Sequence, residues 1–308
     1  MDDEERRRRD RMVAELADEQ AQVIALHQLR AARVTPGRQR AMVATERWQL
    51  IPYRGVVVAT TQPAEQHRWR RALVQVGRQA WLGGITALQA TGLTGFDEPV
   101  IHVWVHKSTP KGRPDGVRVH ETRRWGPGDV AGAGIPRARP AVATVQAALW
   151  SASPRQALLA MIMPVQQRLV RPEDVRTELE RVVRHRFRGA LLAAIGDVVD
   201  GVRSLNELDF ALECRRRGLP EPSRQVVRRG RRGRIYLDVY WAAFRVALEI
   251  NGVQHGRLDT SMADELRAID LQVRQDAAVQ ISVLTLRCDP DPFFAKLAEL
   301  LVARGWRP

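Results

Sequence analysis

Apolar positions recur at helical spacing near the start of the chain. Val13, Leu16, Ala17, Val23, Ile24, Leu26 and Leu29 predict a helix over residues 12–33, preceded by a charged run, 1–11, expected as a frayed start or tip. Thr35 is a good N-cap and Pro36 suits the first helical position, so a second helix follows, carrying Arg38, Arg40, Ala41 and Val43. Residues 48–52 and 55–60 read as extended, with Gly55 at a turn. Residues 68–76 are helical again, and 82–92 hold a short helix opened by Thr86 and Ala87. Residues 100–105 alternate cleanly as a strand, and 116–120 are its expected hairpin partner across a Pro/Gly-rich loop, 107–114. After a Gly/Pro-rich connector, 126–140, helices are predicted over 141–170 (split near Pro154 and Pro164), 172–185 and 191–199.

Asp200 and Gly201 mark a change of character. Ser204 and Glu207 form a capping box opening an amphipathic helix that ends at Gly218. Strands are predicted at 225–228, 234–241 and 244–251, a helix at 264–275, a strand at 279–286 and a last helix at 292–304. The fold class is therefore α+β, multidomain. Helix, helix and β ribbon is the order of a winged helix, expected within a DNA-binding region over 1–95; a β-hairpin plus helical region follows over 96–200; an αβββαβ domain follows over 201–308.

A chain of 308 residues with 44% hydrophobic positions has enough apolar material for two or three cores. Its two cysteines, Cys214 and Cys288, exclude a disulfide scaffold and a zinc ribbon. The charged start is not a secretory signal, and no apolar run is long enough for a membrane span, so a reducing cytoplasm is the expected compartment. The net charge of +14, almost all arginine, points to a polyanionic partner, with nucleic acid first. Residues 201–235 contribute ten basic against four acidic residues, a net +6. Trp48, Trp69, Trp81, Trp104, Trp125 and Trp150 are expected as core anchors rather than stacking platforms.

The chemistry concentrates in 235–255. Alternation places Ile235, Leu237, Val239 and Trp241 on one strand face, and Tyr236, Asp238 and Tyr240 on the other. In the next strand Phe244, Val246, Leu248 and Ile250 face the core, while Arg245, Ala247, Glu249 and Asn251 point away. A short turn at Ala242 and Ala243 makes an antiparallel hairpin, which sets Asp238 and Glu249 side by side. Two adjacent carboxylates repel unless a cation lies between them, and hard oxygen ligands suit Mg²⁺ or Mn²⁺. His255 follows Gly252 within reach, and Glu207 sits in the helix expected to cross the sheet.

These residues resemble the PD-(D/E)XK nuclease superfamily, and more closely the very-short-patch-repair-like endonuclease domains. The likeness is carried by Asp238, by Glu249 with Asn251, Gly252 and His255, by Ser204 with Glu207, and by Asp264, Arg267 and Asp270. It covers the last third of the chain and implies a restriction-endonuclease-like domain. It also implies a metal held by Asp238 and Glu249 with Glu207 as ligand or supporting acid, His255 as base or water-orienting group, and Arg267 neutralising the scissile phosphate. The superfamily's lysine two residues after the Glu is Asn251 here, which is neither cationic nor a base. Residues 20–170, with Trp81, Gly83, Gly84, Thr86 and Gly92, resemble the antitoxins of type IV abortive-infection toxin–antitoxin systems, in which a winged helix binds operator DNA.

The resulting expectation is a Mg²⁺-dependent DNA endonuclease with an attached winged-helix region, in defence, toxin–antitoxin or repair, with a cognate protein partner among the expected partners. The alternative is a DNA-binding antitoxin or regulator on a catalytically degenerate nuclease fold, favoured by Asn251. Arg228, Arg229, Arg231, Arg232 and Arg234 at a hairpin tip are expected to clamp the DNA backbone. Arg38 and Arg40 are expected on a recognition helix.

Overall fold

A computed structural model describes residues 3–52, 54–58, 65–200, 210–229, 235–251, 278–282 and 290–308. The chain is mixed α/β with small sheets. It divides into two compact units, 1–146 and 147–308.

The first unit opens with α1 (Asp3–Glu19), β1 (Val23–Ala25), α2 (Leu26–Ala31), α3 (Pro36–Ala44), β2 (Gln49–Ile51) and β3 (Gly55–Val57). The charged start is helical from Asp3, and the single helix expected over 12–33 is interrupted. Ala21 and Gln22 take left-handed backbone conformations (φ 50° and 66°). Val23, Ile24 and Ala25 are all buried because they pair with β3, Ile24 opposite Val56. A run buried on both faces carries no strand alternation, so its apolar residues also fit a helical stripe. The sheet order is β1-β3-β2, all antiparallel. Thr35 caps α3 as expected: its hydroxyl accepts from the Arg38 N–H at 3.2 Å, with Pro36 in the first turn. Val13, Ala17, Ile24, Leu29, Val34, Trp48 and Val56 close one core under these elements.

Next come α4 (Glu65–Val76), β4 (Ala80–Leu82), α5 (Gly84–Gln89), β5 (Ile101–His106) and β6 (Val117–Thr122). The sheet order is β4-β5-β6, with β4 antiparallel to β5. The hairpin expected for β5 and β6 is overturned: the two strands pair in parallel, Trp104 beside His120. The connector passes α4, where the Gly112 N–H donates to the Val76 carbonyl at 2.8 Å, and so carries the chain back to the start of β5. A Cβ at Gly112 would lie 2.3 Å from the Gln75 carbonyl oxygen, so only glycine makes that approach. Trp104, fully buried, stacks on Trp81 at 4.6 Å. His102 and His120 stack at 5.1 Å between ring centres, with Nδ1 of one 3.0 Å from Nε2 of the other. Trp48, Trp69 and Trp125 are also buried, as core anchors should be.

Helix α6 (Pro140–Trp150) spans the division between the units. The second unit continues with α7 (Pro154–Gln166), α8 (Pro172–Glu180) and α9 (Arg188–Asp200). Pro164 does not split the helical stretch; it is accommodated in the last turn of α7. Then follow α10 (Phe210–Arg216), β7 (Arg224–Arg229), β8 (Ile235–Trp241), β9 (Val246–Asn251), β10 (Ala278–Ser282) and α11 (Pro290–Ala303). Gly218, at φ 68°, ends α10, and Leu219 N–H returns to the Cys214 carbonyl. The sheet order is β10-β9-β8-β7, with β10 parallel to β9 and the other pairs antiparallel. The helix expected over 264–275 lies outside the described residues.

Candidate functional site

The site begins with the β8–β9 hairpin. Val239 and Trp241 on β8, Val246, Leu248 and Ile250 on β9, and Val279 and Ile281 on β10 are all at most 2% exposed. They form the core face. Trp241 anchors it: its indole N–H donates to the Pro220 carbonyl at 2.8 Å, and its ring meets Phe210 edge-on at 6.0 Å. Phe244, expected on the core face of the strand, instead lies in the turn 242–245 and is half-buried.

Because alternate positions are committed to the core, positions 236, 238 and 240 belong to the opposite face. Tyr240 there is 39% exposed, so solvent reaches this side of the sheet. The register sets Asp238 directly opposite Glu249, Tyr236 opposite Asn251, and Tyr240 opposite Ala247. Directly opposed residues of an antiparallel pair have Cβ atoms about 4.5–5.5 Å apart. Like charges directly opposite weaken a hairpin unless a countercharge lies near them, and hard oxygen ligands suit a divalent cation. Glu249 is half-buried, which strengthens its interaction with any cation it meets.

The rung extends across the sheet. Val226 on β7 stands opposite Asp238, and Gln280 on β10 stands beside Glu249, with Ser282 beside Asn251. Gln280 is a position that sequence reasoning missed. A parallel neighbour reached through residues 252–277 has no local signal for its register; the period-two pattern of 278–282 says only which residues share a face.

Among the described residues, no group of three or more His, Cys, Asp or Glu has the arrangement to hold a metal ion. Glu207, His255 and Arg267 lie outside the described residues, as do Arg231, Arg232 and Arg234. Arg228 and Arg229 end β7, opposite Tyr236 and Ile235. On α3, Arg38 reaches Asp10 of α1 at 3.3 Å while Arg40 is exposed. Cys214, in α10, is buried, and burial pushes its thiol up to about 12, so it is no thiolate nucleophile at neutral pH. No helix among the described residues is long and apolar enough to cross a membrane.

No protein-family model matches the chain, and no curated protein matches it.

Proposed function

We propose that the chain is a metal-dependent DNA endonuclease whose N-terminal unit contains a DNA-binding winged helix. The observation that carries the reading is the rung on which Asp238 and Glu249 stand directly opposite each other. The β8–β9 hairpin with β10 parallel to β9, preceded by β7 and α10, supports a restriction-endonuclease-like core. The α1-β1-α2-α3-β2-β3 order, with β3 in the middle of its sheet, supports a winged helix with α3 as its recognition helix.

In this reading Asp238 and Glu249 bind the cation, Mg²⁺ or Mn²⁺, and Glu207 is a third acid. The bound ion supplies Lewis-acid polarisation of a phosphodiester and a water of lowered pKa. His255 takes or orients the water's proton, Arg267 neutralises charge on the phosphate, and the arginines at 228–234 hold the backbone. Asn251, opposite Tyr236 and beside Ser282, favours a second reading. There the same sheet is a platform without hydrolysis, and the protein is a DNA-binding regulator or antitoxin with a cognate protein partner.

The test is cleavage of supercoiled and single-stranded DNA with Mg²⁺, Mn²⁺ or EDTA, beside Asp238→Ala and Glu249→Ala. Metal-dependent cleavage that falls at least about 100-fold in both variants, with DNA binding retained, supports the nuclease. Binding without metal-dependent cleavage by the wild type overturns it and leaves the regulator.

A further inference from the structure

A cavity of about 390 Å³ opens in the first unit, and four arginines from four segments line it: Arg30 of α2, Arg54 of the β2–β3 turn, Arg70 of α4 and Arg78 after α4. No Asp or Glu is among the described residues that line it. Elsewhere the chain's arginines commonly meet carboxylates: Arg139 with Asp129 at 3.0 Å, Arg171 with Asp174 at 2.9 Å, Arg181 with Glu178 at 2.7 Å. None of the four pocket guanidinium groups makes an ion pair or a side-chain hydrogen bond among the described residues.

Arg70 is half-buried, and desolvation pushes its guanidinium below the ordinary arginine value. Keeping a desolvated cation without a countercharge is unfavourable. Arg54 Nη1 lies 3.5 Å from where a Cβ of Gly77 would stand, next to Arg78 in the chain. His27, also on the wall, is pushed down by burial and by Arg78, so the guanidinium field reaches it. Leu26, Leu73, Val74 and Pro136 provide an apolar wall. Small-molecule pockets have this size, and guanidinium forks match phosphate oxygens two at a time.

We propose that this pocket is a receptor for a ligand with two or more neighbouring phosphate groups. The same chemistry is offered by a free nucleoside polyphosphate and by a nucleic-acid backbone. Two phosphates engage the arginines, and an attached nucleoside lies against the apolar wall. The proposal does not rest on DNA cleavage, because Asp238 and Glu249 belong to the other unit.

The test uses the full chain. Inorganic pyrophosphate and ATP are titrated calorimetrically and by thermal shift, and a short labelled duplex by anisotropy. Three variants accompany the wild type: Arg54→Gln/Arg70→Gln, Arg30→Gln/Arg78→Gln, and the charge-matched control Arg68→Gln/Arg71→Gln, on α4 but outside the pocket lining. Arg30 and Arg78 are exposed, so their replacement leaves the fold intact. Both pocket variants are expected to lose about tenfold or more in affinity while the control stays within about twofold. Loss confined to pyrophosphate and ATP identifies a free ligand, and loss confined to the duplex identifies a nucleic-acid backbone. Equal losses in the control and the pocket variants, or no binding change in either pocket variant, overturn the proposal.

Discussion

Two strand pairs, β5–β6 and β8–β9, read alike as sequence and fold in opposite ways. Each is an alternating run, a connector and a second alternating run. The β8–β9 connector is the four-residue turn 242–245, and its strands return antiparallel with Asp238 opposite Glu249. The β5–β6 connector spans ten residues, 107–116, and its strands run parallel. A four-residue turn permits only reversal, whereas ten residues nearly reach the dozen or so that a crossover ordinarily needs. The longer one is tied down along its way by Gly112, bonded to Val76 on α4. The chemistry follows the orientation. The antiparallel rung sets Asp238 opposite Glu249, while the parallel pair sets His102 and His120 diagonally, where they stack.

The largest test breaks the hairpin's floor. Trp241→Ala removes a buried indole and its bond to Pro220, at a cost of about 4 kcal/mol in urea unfolding. Amide exchange should rise over 235–251 and stay low over 101–122; the opposite distribution would mean that Trp241 does not anchor the hairpin.

Breaking the crossover comes next. Gly112→Ala must move the Gln75 carbonyl and lose the Val76 bond, costing about 3 kcal/mol. Gly126→Ala, with open space at its Cβ, is the control and should change stability little. Equal effects of the two would refute the anchor.

Acid distinguishes the pairs without a mutation. Burial, then His102 and Arg118, lower His120 to about 3. The unfolded chain takes up a proton near the ordinary value of 6.5 and the folded chain does not. Stability from this group is therefore complete above that value and is lost as pH falls toward 3. At pH 5 the loss is about 2 kcal/mol. His120→Gln should shrink that step and leave the part due to His102, which burial also lowers; a wild-type pH profile in the variant would show that His120 does not carry it.

The smallest effect sharpens the hairpin. Arg245 closes its turn at φ 52°, a conformation that glycine takes without cost. Arg245→Gly should stabilise by about 1 kcal/mol in urea unfolding, with any DNA cleavage unchanged. A lower midpoint would mean that the arginine side chain contributes more than its backbone costs.

Much of the rung was legible beforehand. Side-chain faces of a strand alternate whatever the surroundings, so Asp238 shares a face with Tyr240, and Glu249 with Ala247, once the two runs are strands. The buried set Val239, Trp241, Val246, Leu248 and Ile250 follows from the same pattern. The extended segments around β2 and β3 were legible through Gly55 and the flanking β-formers. The break of the first helix at Ala21 and Gln22 was not, because Val23, Ile24 and Ala25 satisfy a helical stripe as well as a strand buried on both faces. Nor was the use of Gly112, whose need for a bare Cα arises only from Gln75 and Val76.

By itself the sequence determined the mixed α/β composition, the Thr35–Pro36 helix start, the β8–β9 reversal and the shared face of its two acids. Each depends on residues within a few positions of one another, where caps, short turns and the two-residue period act. Tertiary structure alone decided the parallel β5–β6 pairing, the place of Gln280 beside Glu249, and the gathering of Arg30, Arg54, Arg70 and Arg78 around one cavity. Those depend on closures between distant segments, whose free energy is spread over a whole core rather than written at any one position.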